Sequence, residues 1–217
     1  MDDLCNHKFE RPMFLCEPLA PSGGIVLLHG PSESGKTQLV MTLAKSVLEG
    51  RMFLNQFPCH QGRVLLIEAD TPILAIQNRL QRLPVDKQAR DAFAVLADES
   101  KAFNVLAQAG SPAPEMLAAQ AFAPDLVIFD SLRDIHGLDE NDSTAPRQVY
   151  GAIRKLFPTQ VLVVIAHDRK KPTMGTRHHD EETSGHGAWR NTSDISWHLE
   201  RWYNHKEPFV HHATLRS

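Results

Sequence analysis

Short apolar runs recur along the chain, separated by longer segments of mixed character. The runs are four to six residues long, are rich in Val, Ile and Leu, and stop at a polar or small residue. Continuous apolar runs of this length are typical of strands buried on both faces of a parallel sheet. The predicted strands are Ile25–His29, Val64–Ala69, Leu126–Phe129 and Val161–Ala166, with a weaker fifth at Phe93–Leu96.

The segments between these runs carry apolar residues at helical spacing. The predicted helices are Gln38–Glu49, Ile73–Leu83, Pro114–Phe122 and Pro146–Phe157. Gly50 and Pro158 follow two of them and indicate helix ends. Strands that alternate with helices predict an α/β fold with a mostly parallel central sheet and helices on both faces. We expect one such domain over residues 23–217, preceded by an N-terminal arm at residues 1–22.

Length, composition and charge narrow the class of protein. A length of 217 residues is typical of one α/β domain with additional peripheral segments. No run approaches the roughly 20 apolar residues that cross a bilayer, and the N-terminus lacks a signal-peptide pattern, so we expect a cytoplasmic protein without a membrane partner. The net charge of −3 excludes a protein that coats nucleic acid by charge alone. Any nucleic-acid contact must therefore come from a local patch or an assembled ring.

The cysteines give no sign of a disulfide framework or a zinc site. Cys5, Cys16 and Cys59 are few, odd in number and widely spaced, and they form no CxxC pair. We predict reduced thiols.

The segment after the first predicted strand matches the phosphate-loop pattern G-x-x-x-x-G-K-[ST]. It reads GPSESGKT and precedes a predicted helix, so several backbone N–H groups and the helix N-terminus can surround phosphates. We predict that ATP binds here, that Lys36 neutralises the β- and γ-phosphates, and that the Thr37 hydroxyl ligates Mg²⁺. The predicted nucleotide-binding residues are Gly30, Pro31, Ser32, Glu33, Ser34, Gly35, Lys36, Thr37 and Gln38.

An acidic residue ends the apolar run LVIFD. Asp130 lies at the predicted strand tip, where it can hold the magnesium through water. It is followed by Ser131 rather than Glu, so the carboxylate that orients the attacking water must lie elsewhere. The candidates are Glu68 and Asp70 in VLLIEADTP, which alternate on one side of the strand. Asp70 is further past the tip and therefore reaches the phosphate edge.

Four segments in this order resemble the RecA-like P-loop ATPases, and among them the hexameric replicative helicases of the plasmid RepA type and their phage relatives. Besides the phosphate loop they are VLLIEADTPILAIQNRL at Val64–Leu80, LVIFDSLRDIHGLDENDST at Leu126–Thr144 and VLVVIAHDRK at Val161–Lys170. The resemblance spans roughly Gly24–Leu199. It implies a RecA-like fold, hydrolysis of ATP with Mg²⁺, a ring-shaped homo-oligomer and action on DNA.

Roles for individual residues follow from the resemblance by position. Asp70 would be the catalytic acid, where the family usually has Glu, with Glu68 as the alternative. His167 aligns with a strand-end residue that senses the γ-phosphate. A cation lent to the neighbouring subunit is expected after the glycine-containing stretch, and we favour Arg190 over Arg201.

A long polar loop, Asp168–Gly187, follows the last predicted strand. In RecA-like relatives the matching loop faces the channel of the ring and contacts single-stranded DNA. The predicted nucleic-acid contacts are Arg169, Lys170, Lys171 and Arg177. Such cations would meet backbone phosphates without reading sequence. A solvated loop without DNA contacts is the alternative, because the loop has no aromatic residue to stack a base.

Other readings of the sequence remain open. A small-molecule or nucleotide kinase has a similar length and the same phosphate loop, but gives no role to the strand-end His-Asp-Arg-Lys. A nucleotide-controlled binding module with slow hydrolysis would be compatible with Asp70 in place of Glu. A GTPase is disfavoured because the chain has no Asn-Lys-x-Asp motif. His29, inside the first strand, is predicted to be a core residue with satisfied hydrogen bonds rather than a ligand.

Overall fold

The computed structural model describes residues 14–69, 71–98, 103–139, 142–168, 186–203 and 211–216. Nine strands lie in these ranges: β1 (Phe14–Cys16), β2 (Ala20–Pro21), β3 (Ile25–Gly30), β4 (Val64–Glu68), β5 (Phe93–Ala97), β6 (Leu126–Asp130), β7 (Val161–His167), β8 (Ile195–Tyr203) and β9 (His211–Arg216). Seven of the described strands form one sheet in the order β5-β4-β6-β7-β3-β8-β9. All neighbours in this sheet are parallel except β8 and β9, which are antiparallel. The predicted mostly parallel sheet is confirmed.

The described helices are α1 (Lys36–Glu49), α2 (Ile73–Gln81), α3 (Val105–Gly110), α4 (Pro114–Ala121), α5 (Ala145–Leu156) and α6 (His186–Thr192), with 3₁₀ turns at Lys87–Ala92 and Leu132–Ile135. All four predicted helices are present. The left-handed Gly50, with φ 62°, ends α1 as predicted. Within the described part of the chain, no helix combines the length and apolar character that a membrane crossing requires.

Two hydrophobic layers cover the sheet, because successive residues of each strand point to opposite faces. The first layer packs the sheet against α1 and includes Val26, Leu28, Leu66, Ile128, Val163, Ile165, Val40, Leu43 and Val47. The second packs the other face against α4, α5 and α6 and includes Leu27, Ile67, Phe129, Val164, Met116, Val149, Ile153 and Trp189. Helices therefore lie on both faces, as the sequence pattern predicts.

Residues 14–21 pack onto the α1 side of the domain. Leu15, Cys16 and Ala20 belong to the first hydrophobic layer. Cys16 forms an isolated antiparallel bridge with Cys59, and both cysteines are free thiols. The division into an arm at residues 1–22 and a domain at residues 23–217 stays a prediction.

Candidate functional site

The carboxyl ends of four neighbouring parallel strands bring the predicted site residues to one edge of the sheet. β4 ends at Glu68, β6 at Asp130, β7 at His167 and β3 at Gly30. Glu68 pairs in register with Asp130, and Gly30 pairs with His167. The residue two positions before each of the four belongs to the first hydrophobic layer, which packs against α1. Because alternate residues of a strand point to the same face, all four lie on the face that carries α1. Ligands of open α/β sheets bind at this edge.

The two motif glycines shape the loop between β3 and α1. A Cβ on Gly30 would lie 2.3 Å from the carbonyl oxygen of Leu199 in β8, so only glycine allows this close approach. Gly35 is left-handed, with φ 98°, and immediately precedes α1. Because this turn is tight, α1 begins at Lys36, two residues before the predicted start. Its first N–H groups therefore face the loop.

Lys36 is held inside the curve of this loop. Its side chain is only 3% exposed, and Nζ donates hydrogen bonds to the carbonyl oxygens of Gly30 at 2.9 Å and Pro31 at 2.7 Å. Burial lowers the pKa of Lys36, and the nearby carboxylates of Asp168 and Asp130 oppose this shift. The ammonium group thus lies inside the loop that surrounds the nucleotide phosphates in proteins with this motif.

Thr37 and Asp130 form a pair of oxygen ligands. The Thr37 hydroxyl donates to Asp130 Oδ2 at 2.8 Å, and Asp130 is only 8% exposed. Burial raises the pKa of Asp130, and the hydrogen bond from Thr37 opposes this change. Hydroxyl and carboxylate oxygens are the ligand types that Mg²⁺ prefers. The pair therefore fits the predicted magnesium site.

Glu68 lies beside Asp130 and is fixed by an ion pair. It is 1% exposed, and Arg79 Nη1 of α2 donates to its Oε1 at 2.8 Å. Burial and the neighbouring Asp130 carboxylate raise the pKa of Glu68 to about 7, while Thr71 and Arg79 act in the opposite direction. Arg79 lies in a segment that carries the family resemblance, but its pairing with Glu68 could not be predicted from the sequence.

Several other predicted site residues are either exposed or outside the described part of the chain. His167 is exposed at the end of β7. Desolvation and the positive charge of Lys36 lower its pKa, and the Asp130 carboxylate acts in the opposite direction. Arg190 is exposed on α6, and Gln38, Ser32 and Glu33 are exposed around the phosphate loop. Asp70 and the predicted DNA contacts, Arg169, Lys170, Lys171 and Arg177, lie outside the described residues.

The fold, together with the phosphate loop and the acidic residues at the carboxyl edge of the sheet, defines a P-loop NTPase of the RecA-like class. The family model of the AAA domain matches residues 1–174, and the chain belongs to that family. Its structure is similar to that of the flagellar accessory protein FlaH from Methanocaldococcus jannaschii, with a TM-score of 0.58 and 14% identity over 90% of this chain and 79% of that chain. The identification as a RecA-like P-loop ATPase domain is confirmed.

Proposed function

We propose that this chain hydrolyses ATP with Mg²⁺ and that the reaction drives a DNA-acting motor or remodeller of the helicase or recombination type, working as a homo-oligomer. The observation that carries the ATPase part is the buried Lys36 beside the Thr37–Asp130 pair. The direct test is ATP turnover with and without single-stranded DNA. Stimulation by DNA supports the motor, whereas phosphate transfer to a small acceptor would identify the competing kinase.

Each residue of the edge has a distinct task in this proposal. Lys36 stabilises the negative charge of the β- and γ-phosphates. Thr37 and Asp130 would hold the magnesium, which supplies positive charge to the phosphates when bound. Asp70 orients the attacking water, and His167 senses the γ-phosphate at the end of β7. Glu68 has a positioning role, because its buried pairing with Arg79 fixes α2 against the end of β4.

Replacing Asp70 with asparagine is expected to slow hydrolysis by a factor on the order of 10²–10⁴ while changing ATP affinity little, because this carboxylate acts on water rather than on bound nucleotide. The measurement is kcat together with the dissociation constant for ATP. Glu68→Gln provides the comparison and should reduce kcat less. A larger loss of kcat in Glu68→Gln than in Asp70→Asn would move the catalytic role to Glu68.

The DNA part of the proposal depends on the basic start of the loop after β7. Changing Arg169, Lys170 and Lys171 together to alanine is expected to weaken binding of single-stranded DNA. Each lost phosphate contact should also reduce the slope of log K against log salt by about 0.7. The measurement is fluorescence anisotropy with a labelled oligonucleotide over a series of salt concentrations.

A matched triple variant separates a local contact from a general loss of positive charge. Arg82, Lys87 and Arg90 are exposed and lie between α2 and β5, away from the loop in sequence. Their joint replacement by alanine removes the same charge and should leave the salt slope unchanged. If both triple variants weaken DNA binding equally, or if the parent protein does not bind DNA, the DNA part of the proposed function is wrong.

A further inference from the structure

Two histidines and an aspartate meet at the same edge of the sheet, on the face opposite α1. His29 Nδ1 lies 3.0 Å from Asp168 Oδ1, and His198 Nε2 lies 3.3 Å from Asp168 Oδ2. His29 is 5% exposed, and the other two side chains are partly buried. One ligand atom from each residue lies within 4.8 Å of the others. We call this group the His-Asp-His cluster.

The strand register produces the cluster. His29 of β3 pairs with His198 of β8, and their rings stack with centroids 4.7 Å apart. On the other side of β3, His29 pairs with Ala166, and Asp168 follows two positions later on the same face. Strands β3 and β8 therefore contribute one histidine each, and the residue that follows β7 contributes the aspartate. The rigidity of the parallel sheet fixes their spacing.

We propose that the His-Asp-His cluster binds one zinc ion. Tetrahedral zinc with bonds of about 2.0–2.1 Å to nitrogen and oxygen places its ligand atoms about 3.3 Å apart. The two histidine nitrogens lie 3.0 and 3.3 Å from different oxygens of the Asp168 carboxylate, and one ligand atom from each residue lies within 4.8 Å of the others. Binding through a single carboxylate oxygen therefore requires a small rotation of the side chains. Imidazole and carboxylate are common zinc ligands, and a site with three protein ligands leaves a fourth position for water.

A second carboxylate supports this assignment. Glu200 Oε1 lies 3.8 Å from His198 Nδ1, the ring nitrogen that faces away from Asp168. Histidines that bind metal through one ring nitrogen commonly direct the other toward a carboxylate, which fixes the ring orientation. At 3.8 Å the contact is longer than a hydrogen bond, so Glu200 would need a small side-chain movement to orient His198 in this way.

The proposed zinc site adjoins the nucleotide site, because the Asp168 carboxylate also acts electrostatically on Lys36 and because the two sites share backbone segments. His29 immediately precedes Gly30 of the phosphate loop, and Asp168 immediately follows His167 at the end of β7. Zinc bound on one face therefore holds together the strands whose next residues shape the nucleotide site on the other face. The inference goes beyond the proposed function and depends neither on ATP nor on DNA.

Zinc titration of the full chain, first stripped with a chelator, tests the proposal. Isothermal titration calorimetry should give a site that binds one equivalent, and cobalt(II) in its place should show the visible absorption of tetrahedral coordination. Loss of an orienting partner alone costs about 10–100-fold in metal affinity, so His198→Ala and Asp168→Asn should each lower the affinity by about 100-fold or more. Zinc should also raise the Tm of the parent protein but not of these variants.

Two controls decide whether the zinc lies in this cluster. His60→Ala removes an exposed histidine elsewhere and should retain the site. Circular dichroism checks that each variant is folded, and the partly buried His198 provides a milder change than the buried His29. Zinc affinity that is unchanged in both His198→Ala and Asp168→Asn, or absent from the parent protein, overturns the proposal.

Discussion

Replacing Lys36 with alanine is expected to abolish ATP binding while leaving the fold intact. The ammonium group makes charge-assisted hydrogen bonds to the loop carbonyls of Gly30 and Pro31, and no part of its role is to fill the apolar core. Hydrogen bonds to charged groups contribute about 1.5–3 kcal/mol each, so losing the phosphate contacts should lower ATP affinity by at least about 100-fold. Isothermal titration calorimetry with ATP and Mg²⁺ measures the effect.

The control for this variant is Lys155→Ala, which removes an exposed lysine from the last turn of α5. It should bind ATP like the parent protein. Near-identical thermal unfolding curves for Lys36→Ala and the parent would show that the change acts on the site rather than on the fold. Unchanged ATP affinity in Lys36→Ala would show that ATP does not bind at this loop.

The second large effect is expected from Arg190, which we propose that one subunit contributes to the active site of its neighbour. Phosphoryl transfer without such an arginine is slower by about 10³–10⁵. The sequence resemblance to plasmid helicases would imply an arginine just before a tryptophan on the next strand, but here Ser196 precedes Trp197. Arg190 is exposed on α6, and the Ser193 hydroxyl donates to its carbonyl oxygen at the end of that helix. We therefore expect Arg190→Ala to reduce ATP turnover by a factor in this range.

A mixing experiment tests whether Arg190 acts between subunits. Lys36→Ala subunits lack the phosphate contact but keep Arg190, so mixing them with Arg190→Ala subunits should restore part of the activity. Specific activity of the parent protein should also fall on dilution if the active site is shared between subunits, as proposed. Arg201→Ala, treated in the same way, tests the other candidate. Activity independent of concentration and of both arginines would mean that one chain holds the complete active site.

The central strands could be predicted because burial on both faces leaves a continuous apolar run, as in Val161–Ala166. β8 is different, since Ile195, Trp197 and Leu199 alternate with polar residues. The family resemblance indicated a strand near Trp197, but no continuous run revealed the nine residues of β8. The six-residue α3 is too short to show a helical period. Its sequence signal is Asn104, whose side chain accepts a hydrogen bond from the Leu106 N–H at 2.9 Å.

The candidate site was predictable where function requires a fixed local spacing. Lys36, Thr37 and Asp130 fall in two motifs, and the structure brings the two motifs together. The ion pair of Glu68 with Arg79 depends on how α2 returns over β4, and the contact of His29 with His198 depends on the register of strands far apart in sequence. His29 is predicted from the sequence to be a core residue with satisfied hydrogen bonds rather than a ligand. It is buried and contacts Asp168, whereas the proposed zinc site would make it a ligand, and no sequence pattern points to His198.

The close contact between Gly30 and β8 has a consequence for how this domain can be divided. The family match ends at residue 174, whereas β8 begins at Ile195 and pairs with β3 from Val26 to His29. A fragment trimmed to the matched residues would leave β3 as an edge strand with unpaired backbone groups and apolar side chains. Such edges recruit strands from other chains and promote aggregation. The segment beyond the family match therefore protects the strand that leads into the phosphate loop from self-association.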